Sequence, residues 1–282
     1  MAELLLGKDV NADLNGQIVS RIEKLAEKQV VPQLAIIRVG GREDDLAYEH
    51  SVEVRFGKLG VKVRKDVLPV DCAAEDVIKA IHRANDDKEV HGVLLFRPLP
   101  KGIDEEAVIR ELDPAKDMDG ITTASIAGVF SGNDTGYPPC TAQAVMEILR
   151  HYEIELCGKK AVVIGRSMVI GKPVAMMLLR ENATVTICHT KTVDMPSVVR
   201  EADIVVVAAG HAGVVNADFV REGQIVIDVG INVNEEGKLC GDVDFTSVEP
   251  VVAKITPVPR GVGSVTTSVL AEHVVSAAEK TV

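Results

Sequence analysis

Tryptophan is absent from the 282 residues, which hold only five phenylalanines and three tyrosines. So few rings leave little to stack on nucleic-acid bases. A net charge of −11 also repels a phosphate backbone. That charge is spread along the chain, so it reads as solubility rather than as a binding tail. No apolar run is long enough to cross a bilayer. The opening MAELLLGKDVNADL lacks the basic start and small-residue cleavage site of a signal peptide. These absences predict a soluble cytoplasmic protein whose partners include no nucleic acid and no membrane. The five cysteines (Cys72, Cys140, Cys157, Cys188 and Cys240) form no C-x-x-C pair, and the seven histidines show no ligand spacing. That argues against a disulfide framework and against a metal site.

What is present is a rhythm of strand and helix. Strand candidates are LAIIRV (34–39), VKVRKDVL (61–68) and GVLLF (92–96), with a helix over 75–86 that sets Val77, Ile78 and Ile81 on one face. Later come AVVIG (161–165), TVTIC (184–188), DIVVVAA (203–209) and QIVIDVG (224–230). These four are short, apolar and rich in β-branched residues, as expected for central strands of a parallel sheet covered on both faces. The stretch SGNDTGYPPCT (131–141) interrupts the pattern with Gly, Asn and Pro. The expectation is an α/β protein of two α/β domains, residues 1–135 and 136–264. The second is Rossmann-like with a parallel sheet. A C-terminal helix within 265–282 packs back on the first domain.

The stretch VVIGRSMVIGKPVAMMLL (162–179) reads as strand, tight loop and helix, the usual cradle for a nucleotide's phosphates. Its glycines do not follow G-x-G-x-x-G. Gly165 takes the first place, Ser167 the second and Ile170 the third, with Gly171 one residue late. Such a turn is also common as plain structure. The next strand ends in CHTKT, without the acidic residue that accepts the ribose hydroxyls of NAD. Arg166, Thr190 and Lys191 offer donors and positive charge instead, which favours NADP over NAD. The other reading of these three is an ordinary solvated loop.

Several segments together resemble one family, the bifunctional methylenetetrahydrofolate dehydrogenase/methenyltetrahydrofolate cyclohydrolases of the FolD family. They are GRSMVIGKP, ATVTICHTKT, DVGIN (228–232), GDVDF (241–245) and TPVPRGVGSVT (256–266), with KDMDGI (116–121), PLP (98–100) and the Tyr48 helix in the first half. The resemblance implies a homodimer with a tetrahydrofolate cleft between an N-terminal domain and an NADP-binding domain. It implies that Gly165, Arg166 and Ser167 hold the cofactor's phosphates and ribose. Thr190 then stands where the family has a serine near the 2′-phosphate, and Ile231 lies by the nicotinamide. On the substrate side it implies that Tyr48 lines the folate, that Asp119 binds the pterin edge, and that Gly261 and Ser264 touch the substrate. Tyr48 and Asp119 are the catalytic candidates. Read without the family, Asp119 is better explained as a helix-cap or turn carboxylate in DPAKDMDG.

The chain departs from the family at four places. Val52 stands where the family has a lysine, one helical turn after Tyr48. Phe96 stands where it has a glutamine. Arg260 replaces a glycine and Ser264 a proline. Hydride transfer from the folate's bridging methylene removes no proton, so orientation can carry it. Hydrolysis of the methenyl product needs a positioned acid/base and a polar partner. Valine and phenylalanine exchange no protons. The expectation is therefore a dehydrogenase whose cyclohydrolase is lost or weak, with a separate cyclohydrolase acting after it. Two alternatives stand. One is a fully bifunctional enzyme rescued by Arg55, Arg97 or His50. The other is a folate- or nucleotide-binding homologue without turnover.

Overall fold

The structure is a computed structural model and describes residues 1–282. In chain order the first half contains β1 (Glu3–Leu4), α1 (Gly7–Glu27), β2 (Gln33–Val39), α2 (Glu43–Leu59), β3 (Lys62–Leu68), α3 (Ala74–Asp86), β4 (Gly92–Leu95), α4 (Glu105–Arg110) and α5 (Thr123–Ser131). The second half contains α6 (Cys140–His151), β5 (Lys160–Ile164), α7 (Gly171–Arg180), β6 (Thr184–Cys188), α8 (Met195–Arg200) and β7 (Ile204–Val207). It continues with β8 (Ile225–Asp228), β9 (Asn232–Val233), β10 (Leu239–Cys240), α9 (Phe245–Val248), β11 (Lys254–Ile255) and α10 (Thr266–Glu279). No helix is long and apolar enough to cross a membrane.

The chain divides into two compact units. One joins residues 13–140 to 267–282, and the other joins 1–12 to 141–266. The expected first domain began at residue 1. The first twelve residues group elsewhere because β1 pairs in parallel with β11, Glu3 against Lys254 and Leu4 against Ile255. A strand's ladder partners decide where it belongs, and two residues are too few to announce themselves by pattern.

In the first of these units the sheet is parallel, in the order β3-β2-β4. Six of the seven residues of central β2 are buried, whereas edge β3 alternates between exposed and half-buried. On one face Ala35, Ile37, Val93 and Leu95 pack with Val77, Ala80, Ile81 and Ala84 of α3. These α3 residues recur at three and four, so one stripe of the helix is apolar. Lys116 then ties the following chain to this helix: its Nζ donates to the carbonyls of Ala84, Asn85 and Asp87 at 2.9, 2.7 and 2.8 Å. Asp117 bridges to Val93 in parallel, so the chain through Asp119 runs beside β4 toward Phe96.

The other unit holds a six-stranded parallel sheet in the order β1-β11-β8-β7-β5-β6. The chain leaves β5 to one side for β6 and returns to its other side for β7, which makes the end of β5 a switch point where ligands bind in open α/β sheets. Ile164 pairs with both Cys188 and Val207, and Val207 pairs with Asp228. The loops after these strands therefore open from one end of the sheet. β5, β7 and β8 are buried centrally as their apolar runs require. TVTIC differs: β6 is an edge strand, with Thr184 and Thr186 exposed. The two threonines on one face mark that edge position.

Candidate active site

Tyr48 lies on α2, which ends where Gly60 adopts φ 86° and returns its N–H to Phe56 O. One turn after Tyr48, Val52 is fully buried, in line with Phe56 and Leu59. Phe96 follows β4, is 6% exposed, and sets its ring 5.6 Å from that of Tyr48. Burial pushes the Tyr48 phenol well above its ordinary value, with Cys140 and Asp119 adding to the shift. Tyr48 is thus a neutral phenol in an apolar wall. Glu49 points away and pairs with Arg38 at 2.8 Å.

Two aspartates in KDMDGI divide two jobs. Asp117 is buried and accepts from Ile121 N, Thr122 N and Ser125 Oγ at 3.0, 2.8 and 2.7 Å. It is the turn carboxylate, and it sets the entry of α5. Asp119 is only half-buried. Its carboxyl is pushed up to about 6, first by burial and then by Asp117, against the pull of Arg97 and a hydrogen bond from the Cys140 thiol. A carboxylate with acceptor capacity beyond its contact with Cys140 is available to a ligand's N–H groups. Cys140 was missed by sequence reasoning, because nothing in its spacing ties it to Asp119. Its Sγ also lies 3.2 Å from Met118 O, so the one S–H is shared between that carbonyl and Asp119, and His273 Nδ1 meets the same carbonyl at 2.9 Å. His273 belongs to α10, and burial lowers its pKa to about 4, so the ring is neutral.

The three basic candidates for proton transfer separate clearly. His50 is exposed. Arg97 pairs with Glu105 at 3.4 Å. Arg55 is half-buried beside Val52, has no acceptor in the chain, and its pKa is lowered by that burial.

The glycine loop after β5 shows why its glycines stand where they do. Gly165 has φ 130°, and a Cβ there would strike Ala208 O. A Cβ at Gly171 would strike Gly165 O, so this glycine lets α7 start against the turn. Ser167 replaces the middle glycine and caps the helix: its Oγ accepts from Ile170 N at 3.1 Å and Gly171 N at 3.3 Å. The first helical N–H groups are therefore not free for a phosphate. The unpartnered donors lie earlier, on the backbone of Ser167, Met168 and Val169. Arg166, Thr190 and Lys191 are all exposed, and the Ile164–Cys188 pairing sets their two loops side by side. A cradle that a Cβ would fill, with free N–H groups and two cations, fits a phosphorylated dinucleotide. Gly165→Ala is expected to weaken NADP binding at least about tenfold and to lower stability by about 1–3 kcal/mol. Titration calorimetry and thermal melting check both.

Two strands further along, the turn after β8 and the loop after β11 enclose a recess of about 260 Å³. Ile231, 67% exposed, lines it with Arg260, Gly261 and Ser264. DVGIN and GDVDF lock together beneath it. Asp228 accepts from Gly230 N, Asp242 N and Val243 N at 2.9, 3.0 and 3.0 Å. Asp242 accepts from Ala209 N, Gly210 N and Asn232 Nδ2 at 2.6, 2.8 and 2.8 Å. A Cβ on Gly230 would strike Asp242, and one on Gly241 would strike Asp228. These motif carboxylates are therefore structural. Burial pushes Asp228 up to about 6 against the pull of its three N–H donors. The hydroxyl of Ser264 is likewise spent, donating to Gly261 O at 2.7 Å.

The chain's relatives agree with this geometry. Residues 5–119 match the catalytic domain of tetrahydrofolate dehydrogenase/cyclohydrolase, and residues 139–282 match its NAD(P)-binding domain. The bifunctional protein FolD of Alkaliphilus oremlandii is 50% identical over 98% of this chain and 97% of its own. The crystal structure of the bifunctional enzyme FolD from Campylobacter jejuni superposes with a TM-score of 0.97 at 37% identity, covering 100% of both chains. That of the Trypanosoma brucei enzyme, complexed with NADP cofactor and an inhibitor, gives 0.92 at 33% identity over 99% of this chain and 98% of its own. Likeness of this extent, over both units and in both motif sets, makes the chain a member of the tetrahydrofolate dehydrogenase/cyclohydrolase (FolD) family.

Proposed function

We propose that this protein oxidises methylenetetrahydrofolate to methenyltetrahydrofolate with NADP, and that its cyclohydrolase activity is lost or weak. The observation that carries the second half is the wall beside Tyr48: Val52 is wholly buried and Phe96 covers the phenol. Neither side chain exchanges a proton.

NADP supplies the hydride acceptor. In this reading Gly165, Ser167 and the free N–H groups of their loop receive its phosphates. Arg166, Thr190 and Lys191 take the 2′-phosphate, and Ile231 lies at the nicotinamide end. The family's relatives are named for both activities, so the dehydrogenase half rests on family membership and on Asp119. That carboxylate accepts the pterin's N–H groups, while Tyr48 and Phe96 bound its ring. Gly261 and Ser264 line the substrate loop. Fixing the methylene group in this way serves hydride transfer, which needs orientation more than proton movement. The ring opening that follows needs an acid/base, so a separate cyclohydrolase completes the sequence. The same reading takes the protein as a cytoplasmic homodimer.

One observation favours a second reading, full bifunctionality: the half-buried, unpaired Arg55 lies one turn from Val52. A guanidinium remains a poor proton shuttle even with its pKa lowered. The deciding experiment supplies methylenetetrahydrofolate with NADP or NAD, then methenyltetrahydrofolate alone. NADP reduction is expected, with NAD less effective. The methenyl compound should accumulate and decay at the buffer rate. Rapid enzyme-dependent loss that disappears in Arg55→Gln would establish the second reading. No reduction with either cofactor would point to a binding protein without turnover.

A further inference from the structure

We propose that the guanidinium of Arg260 grips an anionic group of the ligand seated in the recess between the turn after β8 and the loop after β11. This rests on the proposed dehydrogenase reading and adds a specificity residue to it.

Arg260 has φ 86°, a left-handed backbone that suits glycine. A side chain there is strained, because its Cβ crowds the following carbonyl oxygen. The conformation is held from outside, because Gly7 N donates to Arg260 O at 2.9 Å. The side chain returns nothing to the fold: it is exposed and has no hydrogen-bond or ion-pair partner in the chain. A residue kept at a strained position without internal use points to a use outside the chain.

The recess defines what that use is. Its walls include Val229, Ile231, Leu239 and Val262, and Arg260 is its one cation. The one acid of the lining, Asp228, is already saturated by three backbone N–H groups. Nothing in the lining neutralises Arg260, although the chain as a whole carries −11. An apolar recess with a single free cation fits a flat ring that carries an anion a short distance away. A guanidinium accepts phosphate or carboxylate in the same forked geometry. Two ligands of the proposed reaction have this form. One is the dinucleotide, with its diphosphate next to the nicotinamide ribose. The other is tetrahydrofolate, with its glutamate carboxylates. The turn after β8 follows a strand two places from β5 in the same sheet, whose loop is the phosphate cradle.

Arg260→Gly relieves the backbone, so loss of folding does not obscure the result. The test is equilibrium titration of the full-length protein with NADP, and with tetrahydrofolate bearing one or several glutamates, at low and high salt. Affinity for one of the two is expected to fall about tenfold at low salt, with a flatter salt dependence. The melting temperature should be equal to or above that of the wild type. Arg260→Lys should recover part of the lost affinity. A loss confined to NADP identifies the phosphate as the anion. A loss confined to folate, growing with the number of glutamates, identifies the carboxylate. Unchanged affinity for both ligands in Arg260→Gly, with wild-type binding intact, overturns the proposal alone. A wild type that binds neither ligand overturns the functional reading as well.

Discussion

Under the proposed function, introducing the pair that the family resemblance implies, as Val52→Lys with Phe96→Gln, is expected to raise methenyltetrahydrofolate hydrolysis by about 100-fold or more over wild type, the usual contribution of a positioned acid/base. The single change Val52→Lys should behave differently. Val52 is fully buried one helical turn after Tyr48, whose ring lies 5.6 Å from that of Phe96. An ammonium placed there without a partner costs about 3–5 kcal/mol of stability, or gives up its proton. Glutamine in place of Phe96 supplies an amide oxygen beside Tyr48. The double variant should therefore be more stable than the sum of the singles by about 1–3 kcal/mol. Urea unfolding measures the coupling, and the decay of methenyl absorbance measures the activity. A double variant that folds, binds folate and still hydrolyses at the wild-type rate would show that Val52 and Phe96 do not set the activity.

The second large effect separates the two neighbouring aspartates. Asp119→Asn should weaken folate binding about 100-fold, because a charge-assisted pair of hydrogen bonds becomes a neutral and partly mismatched one. Its stability should not fall. The Asp119 carboxyl titrates near 6 in the fold, against an ordinary 3.8, mainly because burial disfavours its charge. Between those values the folded chain holds a proton that the unfolded chain has released, so this group costs stability as the pH rises. Asp119→Asn should match wild type below pH 3.8 and exceed it above about pH 6. Folate affinity in the wild type should rise through the same window and lose that dependence in the variant.

Asp117→Ala should do the reverse. It strands two backbone N–H groups and the Ser125 hydroxyl, at a cost of about 3 kcal/mol, while a chain that still folds keeps its Asp119 carboxylate. Folate titration and denaturant curves of both variants are sufficient. Equal effects of the two changes on stability and binding would refute the division of labour.

Residues two positions apart in one motif cannot be assigned such different roles from the sequence. Both carboxylates of KDMDGI have the same chemistry. Only the course of the chain decides that Asp117 meets the turn into α5 while Asp119 stays half-buried beside Cys140. The same holds for Asp228 and Asp242. Their motifs carried the family resemblance, yet each carboxylate is consumed by backbone N–H groups of the neighbouring segment. Cys140 lies 21 residues from Asp119 in sequence, and the fold brings its thiol to that carboxylate.

The sequence by itself determined the α/β class, the strand–helix rhythm, the nucleotide loop and the two departures at Val52 and Phe96. Each of these is written in local periodicity, in a short motif or in the identity of one side chain. Tertiary structure alone decided that β6 is an edge, that residues 1–12 join the second sheet, and that Ser167 caps α7. It also decided that Arg260 holds a glycine's conformation while its side chain has no partner in the chain. These depend on which distant N–H, carbonyl or strand edge arrives beside a residue. That is set by packing of the whole chain, and no window of sequence contains it.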